Sequence, residues 1–261
     1  MTPGIPEARS LAGFATAARH SGHRLAESCE WSILRYPLLV TPFLRPTYII
    51  AVLIAISIHE CAHAYAAYRL GDDTAKYAGR LTLNPLAHLD PMGALLFLVV
   101  GFGWAKPVPV NPAHLGHPKR DNALVALAGP ASNLVLALIA FIGLLLLGIS
   151  WGGSFDLLSL RGASVVQTFL LQLFGSSLFV NLSLMAFNLF PVAPLDGSKI
   201  LEGFIPYHYE GEYERFMQYG PYILLGLLLF ESFLPFPILS GWVFGISDAV
   251  LAIFEGVAGL F

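Results

Sequence analysis

Long apolar stretches separated by short polar connectors dominate the sequence. Between Thr47 and Tyr68 the only formally charged residue is Glu60, and residues 122–155 and 162–195 contain no Asp, Glu, Lys or Arg. A helix that crosses the hydrocarbon core of a bilayer needs about 20 apolar residues, and each of these stretches is long enough. The pattern therefore predicts several membrane-spanning helices.

Other apolar segments are shorter. Residues 92–104 are apolar but too short to span comfortably, and their three glycines favour a re-entrant or strand-like element. Residues 221–230 and 238–251 are separated by prolines, and we expect a helical hairpin that covers the core with its turn outside. The predicted fold is an all-α polytopic membrane protein, a bundle of about five to six transmembrane helices with a short re-entrant or strand-like element near 92–104.

Composition agrees with a membrane protein. Of 261 residues, 56% are hydrophobic and 12% are charged, and the mean hydropathy is +0.68. The net charge of −3 gives no sign of a nucleic-acid partner, so the lipid bilayer is the expected environment. We divide the chain into an N-terminal leader with an interfacial or partial membrane segment (1–46), a membrane core (47–220) and a C-terminal membrane hairpin (221–261).

The first long apolar stretch contains a metal-binding pattern, His59-Glu60-Cys-Ala-His63. Residues four apart share one face of a helix, so the two histidines can offer two nitrogens to one ion. The intervening glutamate can reach a water on that ion, which is the arrangement of zinc hydrolases. Ionisable groups in hydrocarbon are costly, which favours a functional role. The alternative is a helix whose polar residues pack against a neighbouring helix and bind no metal.

A third protein ligand is expected, because catalytic zinc sites have three. The best candidate is Asp196, which follows the charge-free stretch 162–195 within the segment NLFPVAPLDG. Pro191 and Pro194 prevent the helix from continuing, and irregular backbone at membrane depth must be buried in protein or line a wet cavity. The alternative is a loop carboxylate that caps the next helix.

The segment AGPASN, residues 128–133, lies near the start of another apolar stretch. Its small residues allow close approach of helices, and we interpret Gly129, Pro130 and Ser132 as a packing motif without chemistry. Asn133 is harder to interpret, since a buried amide needs a partner. We include Asn133 among the candidate substrate-binding residues.

These three blocks together resemble the site-2 proteases, a family of intramembrane zinc metalloproteases. The resemblance covers roughly residues 47–220, and AGRLTLNPLAHLDPMG and GWAKPVPVNP are similar to its compact bacterial branch, without a PDZ or CBS domain. It implies that residues 47–220 are an intramembrane metalloprotease core. By position it implies that His59, His63 and Asp196 hold one zinc ion per chain.

The resemblance also implies roles for the other motif residues. Glu60 would be the catalytic acid and base, and Asn188 and Pro191 would help to hold the substrate backbone. The expected reaction is hydrolysis of peptide bonds in single-span membrane proteins, as in regulated intramembrane proteolysis. The substrate must unwind locally, and residues 92–104 could pair with it as a strand. The alternative function is a membrane zinc carrier, or a metal-binding scaffold without catalysis.

Charged loops suggest an orientation. The segments Arg69–Arg80 and Lys106–Arg120 carry a basic excess, which is typical of the cytoplasmic side of a membrane. Glu60 lies nine residues before Arg69, about 13 Å along a helix. We therefore expect a multi-pass protein of the cell (inner) membrane, with its metal site inside the membrane and nearer the cytoplasmic face.

Overall fold

The computed structural model describes residues 44–100, 103–148 and 164–259. Most of the leader, 1–46, and the loop 150–163 lie outside the described residues. Ten α-helices follow one another in the described chain: α1 (Pro46–Arg69), α2 (Thr74–Tyr77), α3 (Pro85–His88), α4 (Pro91–Val100), α5 (Pro118–Leu146), α6 (Val165–Asn188), α7 (Asp196–Glu202), α8 (Glu210–Gln218), α9 (Gly220–Phe230) and α10 (Leu239–Ala258). Short 3₁₀ turns occupy Pro112–His114, Tyr207–Tyr209 and Glu231–Phe233.

Four of the described helices, α1, α5, α6 and α10, are long and apolar enough to cross a membrane. The 24 residues of α1 extend about 36 Å, more than the thickness of the hydrocarbon core. The β-structure of the described chain consists of one isolated antiparallel bridge between Leu89 and Ala105. The prediction of an all-α polytopic membrane protein is confirmed.

Local sequence determines where the helices begin and end. Pro46 and Pro118 occupy the first turns of α1 and α5, where a missing backbone N–H costs nothing. Ser164 caps α6 by accepting a hydrogen bond from the backbone N–H of Gln167. Helix α6 ends at Asn188, before the proline-containing turn that leads to α7. Asp196 is thus the first residue of α7 and follows the turn at the C-terminal end of α6.

Helices α1, α5 and α6 pack against one another. Small side chains at their contacts allow close approach of the backbones, because a methyl group adds little width to the interface. Fully or almost fully buried alanines mark these contacts on α1 and α5: Ala51, Ala55, Ala64, Ala67, Ala137 and Ala140. A second layer forms where α10 covers a cluster around Phe141, Leu178 and Leu182. This arrangement brings one face of α1 against the start of α5 and the end of α6.

The described part of residues 92–104 is mainly helical and not strand-like. Pro91–Val100 form α4, and the bridge between Leu89 and Ala105 joins the two ends of the excursion. Gly93 is required here, since a Cβ on it would lie 2.2 Å from the Trp104 carbonyl oxygen. Because α4 satisfies its backbone hydrogen bonds internally, its residues cannot pair with a substrate strand as we expected.

The C-terminal hairpin also differs from the expectation. Helix α9 has 11 residues, about 16 Å, which is roughly half the hydrocarbon thickness. Helix α10 begins beside the end of α6: Leu239 packs with Phe190 and Leu195, and the Trp242 indole N–H donates to the Ala186 carbonyl at 2.9 Å. The turn between α9 and α10 therefore does not reach the opposite end of the bundle, because α9 is too short.

Candidate metal centre

The two motif histidines lie on the face of α1 that is covered by α5. His59 is 7% exposed and His63 is 8% exposed, although both belong to a helix whose other faces meet the surroundings. Their rings meet edge to face, and their Nε2 atoms are 3.0 Å apart. The i, i+4 spacing therefore presents two nitrogens to one point, as the sequence pattern predicted.

Asp196 completes this group from a different helix. The turn after α6 brings the first residue of α7 beside α1, and Asp196 Oδ2 lies 3.2 Å from both His59 Nε2 and His63 Nε2. These three residues form the only group of three or more potential ligand side chains found among the described residues. The three predicted ligands are thus brought together from two distant parts of the chain.

The spacing of the three ligand atoms fits a zinc ion. With metal–ligand bonds of 2.0–2.1 Å, two ligands of a tetrahedral ion are about 3.3 Å apart. The three edges measured here are 3.0, 3.2 and 3.2 Å. The atoms are nitrogen and carboxylate oxygen, which zinc accepts readily. A fourth position remains for water or substrate, as in catalytic zinc sites.

Hydrogen bonds on the far side of each ring determine which nitrogen carries the proton. The Nδ1 atom of His63 lies 2.7 Å from the Val125 carbonyl oxygen, and that of His59 lies 2.6 Å from Asn133 Oδ1. Both partners are acceptors, so Nδ1–H donates in each ring. Both Nε2 atoms then present lone pairs toward the centre, which is the tautomer that a metal-bound histidine needs.

A cation is needed to stabilise this arrangement. The lone pairs of two Nε2 atoms and of Asp196 Oδ2 converge, and no hydrogen-bond donor contacts Asp196 Oδ2 within the described chain. An ionised carboxylate beside two unprotonated nitrogens is a site for a divalent metal.

Glu60 lies next to the ligands but is not one of them. Its side chain is half-buried and makes no hydrogen bond to another described residue. Glu60 follows His59 by one position and precedes His63 by three, so its side chain lies at the edge of the helix face that carries the two histidines. Glu60 is therefore available to a water molecule at the centre.

Gly129 is a site residue that the sequence pattern did not reveal. A Cβ at Gly129 would lie 2.4 Å from His63 Nε2 and 2.6 Å from both Cε1 and Nε2 of His59. The sequence pattern assigns this glycine to a packing motif, and it does pack, but against the two metal-binding rings themselves. The position of the motif near the start of α5 was the available signal.

The predicted substrate-binding residues have different surroundings. Asn133 is fully buried and its amide is engaged by His59, Asn181 and the Ala55 carbonyl, so no surface of it is free for a substrate. Asn188, at the end of α6, is half-buried and donates from Nδ2 to the Leu184 carbonyl at 3.0 Å. Pro191 lies half-buried in the turn before Asp196. Asn133 therefore orients the His59 imidazole.

Other histidines in the described chain contact groups away from the centre. His88 is fully buried and its Nε2 lies 2.8 Å from the Thr82 carbonyl oxygen. His114 contacts the buried carboxylate of Asp72 at 3.1 Å. These contacts are made within and between the polar segments that follow α1 in the chain.

Comparison with known proteins gives a consistent result. The family model described as "Peptidase family M50" matches residues 47–230. "Putative zinc metalloprotease YwhC" of Bacillus subtilis (strain 168) is 40% identical over 226 residues, which cover 86% of this chain and 96% of the relative. No solved structure matches the chain.

Two mycobacterial proteins are also similar. "Putative zinc metalloprotease Rip2" of Mycolicibacterium smegmatis is 31% identical over 200 residues, which cover 74% of this chain and 68% of the relative. The protein of the same name in Mycobacterium tuberculosis (strain H37Rv) is 32% identical over 206 residues, with the same two shares. The matched region in each case extends over most of the chain.

Proposed function

Because this chain belongs to peptidase family M50 and is a zinc metalloendopeptidase of the membrane, we propose that it cleaves membrane-spanning proteins within the bilayer. The observation that carries the proposal is the convergence of Asp196 with His59 and His63, which lie on a helix that is apolar enough to span a membrane. We propose one zinc ion per chain, held by these three side chains.

The proposed chemistry divides roles between the metal and the protein. Zinc held at this centre supplies a Lewis acid that polarises the scissile carbonyl and acidifies water. Glu60 accepts a proton from the attacking water and later returns it to the leaving amine. Its half-buried carboxylate, without a hydrogen-bond partner among the described residues, supports this role. Asn133 and the Val125 carbonyl keep both imidazoles oriented through these steps.

A cavity of about 530 Å³ supports an approach route for the substrate. It lies between α1, α4, α6 and α10, and its walls are almost entirely apolar. On α1 the lining includes Val52 and Ile56, and Ile56 precedes Glu60 by one helical turn on the same face. On α6 the lining includes Phe187, next to Asn188. An apolar substrate segment in this cavity would therefore lie one helical turn from Glu60 along α1.

Asn188 and Pro191 are proposed to contact the unwound substrate. A helical substrate must lose backbone hydrogen bonds before its carbonyl can be attacked, and these groups need new partners. Since Nδ2 of Asn188 already donates to Leu184, its Oδ1 is the atom that we expect to accept from a substrate N–H. Pro191 has no N–H to compete for the same substrate carbonyls.

We further propose that the metal centre lies nearer the cytoplasmic face of the inner membrane. The basic excess of the connector after α1 supports this orientation. A cysteine at exposed His117 should resist an impermeant thiol reagent added to intact cells, whereas a cysteine at Gly148, beyond the other end of α5, should react. The reverse labelling pattern would invert the proposed topology.

Substitution of Glu60 tests the function. In proteoliposomes with single-span substrates, Glu60→Gln should abolish cleavage and keep the zinc content, because it removes the proton acceptor and no ligand. Glu255→Gln is the matched control, since Glu255 is also half-buried in a spanning helix but lies near the far end of α10. Full cleavage by Glu60→Gln would refute the assignment, and zinc flux without cleavage would favour a carrier.

A further inference from the structure

Two buried asparagines extend the metal centre into α6. Asn133 on α5 and Asn181 on α6 are both fully buried, and Asn133 Nδ2 donates to Asn181 Oδ1 at 2.8 Å. Asn181 Nδ2 in turn donates to the Ser177 carbonyl at 2.8 Å and lies 3.2 Å from Ser177 Oγ. Hydrogen bonds thus connect His59 on α1 to α6 through two amides.

We infer that Asn181 is a positioning residue for zinc, because it determines the orientation of the Asn133 amide and, through it, the tautomer of His59. This inference rests on the proposed function of the same centre. Asn181 contacts no predicted ligand, and its effect passes entirely through Asn133.

The direction of the hydrogen bonds follows from one fixed acceptor. The Ser177 backbone carbonyl can only accept, so the NH₂ end of Asn181 must face it. Asn181 therefore presents its oxygen to Asn133, which must answer with its own NH₂ end. The Asn133 oxygen is then left facing His59 Nδ1, which donates, and His59 Nε2 keeps its lone pair for the metal.

A reversed Asn133 amide would have the opposite effect. Its NH₂ group would donate to His59 Nδ1 and move the imidazole proton to Nε2, which would then be unable to bind a metal. The Ala55 carbonyl, 3.4 Å from Asn133 Nδ2, opposes the reversal only weakly at that distance. The shorter bond to Asn181 is therefore the main contact that prevents it.

The two histidines differ in the group that determines their tautomer. His63 Nδ1 donates directly to the backbone carbonyl of Val125, which no substitution of a side chain can reverse. His59 depends instead on two side-chain amides that can each rotate. Loss of Asn181 should therefore weaken one zinc ligand and leave the other unchanged.

Zinc affinity and cobalt spectra of the full chain in detergent micelles test the inference. The Asn181→Leu variant should bind zinc roughly 2- to 12-fold more weakly in competition with a chromophoric chelator, the range expected for one lost hydrogen bond. Its Co²⁺-substituted form should show altered visible absorption bands, because the ligand field changes. Asn181→Asp should recover the affinity in its protonated form, since its O–H donates to the Ser177 carbonyl and its other oxygen accepts from Asn133.

Two further variants separate positioning from stability. Leu178→Ala removes a buried side chain from the same helix and should lower thermal stability without changing zinc affinity or the cobalt spectrum. Asn181→Ala replaces Asn181→Leu if the larger side chain prevents folding. Wild-type affinity and spectrum in both Asn181 variants, or an equal loss of affinity in Leu178→Ala, would overturn the inference. Absence of zinc binding by the wild-type chain would instead refute the proposed metal centre.

Discussion

The closest contact to the metal centre makes Gly129→Ala a severe test of the proposed geometry. The added Cβ would lie 2.4 Å from His63 Nε2 and 2.6 Å from two ring atoms of His59. Non-bonded carbon atoms are most stable at about 3.5–4.0 Å from their neighbours, so the rings and the new methyl group must separate by roughly 1 Å.

Neither ring can withdraw by that amount and remain a ligand. Both imidazoles are held on their far sides, His59 by Asn133 at 2.6 Å and His63 by the Val125 carbonyl at 2.7 Å. Metal–ligand distances in a working site tolerate changes of only about 0.2 Å. We expect zinc affinity to fall by more than about 100-fold, the upper end of the loss seen when an outer partner of a ligand is removed.

The helix itself should tolerate the change. Alanine is favoured over glycine in a helix interior by about 1 kcal/mol, so α5 gains rather than loses helical stability. Zinc content by elemental analysis, zinc affinity by chelator competition and thermal unfolding of the metal-free protein should be measured together. Gly175→Ala on α6 is the matched control, because its Cβ would meet no atom within 4 Å. Normal zinc content in Gly129→Ala would refute the geometry of the centre.

Two other substitutions test the substrate side of the centre. Asn188→Ala should keep zinc and reduce cleavage by roughly 5- to 150-fold, equivalent to the 1–3 kcal/mol of one lost contact in a partly dry site; a loss of thermal stability that explains the whole loss of activity would make Asn188 a helix cap instead. Ser183→Trp, which adds a large side chain to the cavity wall, should cost a similar 1–3 kcal/mol in cleavage with zinc content unchanged. Leu138→Trp, on the exposed surface of α5, is its control, and equal activity of the two variants would show that substrates do not use the cavity.

Much of this architecture follows from patterns within single segments. Charge-free stretches of sufficient length predict spanning helices, and the i, i+4 spacing of His59 and His63 predicts a shared face. Asp196 required one further step, since its depth follows from the end of the apolar stretch before it. Each of these inferences needs only the geometry of one helix or the length of an apolar stretch compared with the bilayer thickness, and both can be read from the sequence.

Reasoning within single segments does not predict which side chains of different helices contact one another. Asn181 is one of several uncharged polar residues in the apolar stretch that forms α6, and the residue that it contacts, Asn133, lies 48 positions earlier. Nothing in the spacing of one helix indicates which residue of another it will face. The polarity of Asn181 within hydrocarbon was a usable signal, because a buried amide must find a partner. Gly129 gave no signal beyond its motif, since a missing side chain has no polarity to read.

The polar atoms around the centre fall into two groups in the described part of the chain. The Nδ1 atoms of both histidines and the amides of Asn133 and Asn181 are all hydrogen-bonded. Asp196 Oδ2 is buried without a hydrogen-bond donor, and the two Nε2 atoms beside it present only lone pairs because their rings are protonated at Nδ1. Leaving a buried polar group unsatisfied costs about 1–3 kcal/mol, so three of them at one point would together cost a large part of the stability of a typical domain. Zinc would remove that cost at the three converging lone pairs. Their convergence distinguishes the centre from single unsatisfied atoms elsewhere in the described chain, such as Thr47 Oγ1 and His88 Nδ1, and the hydrogen-bonded amides hold the converging atoms in place.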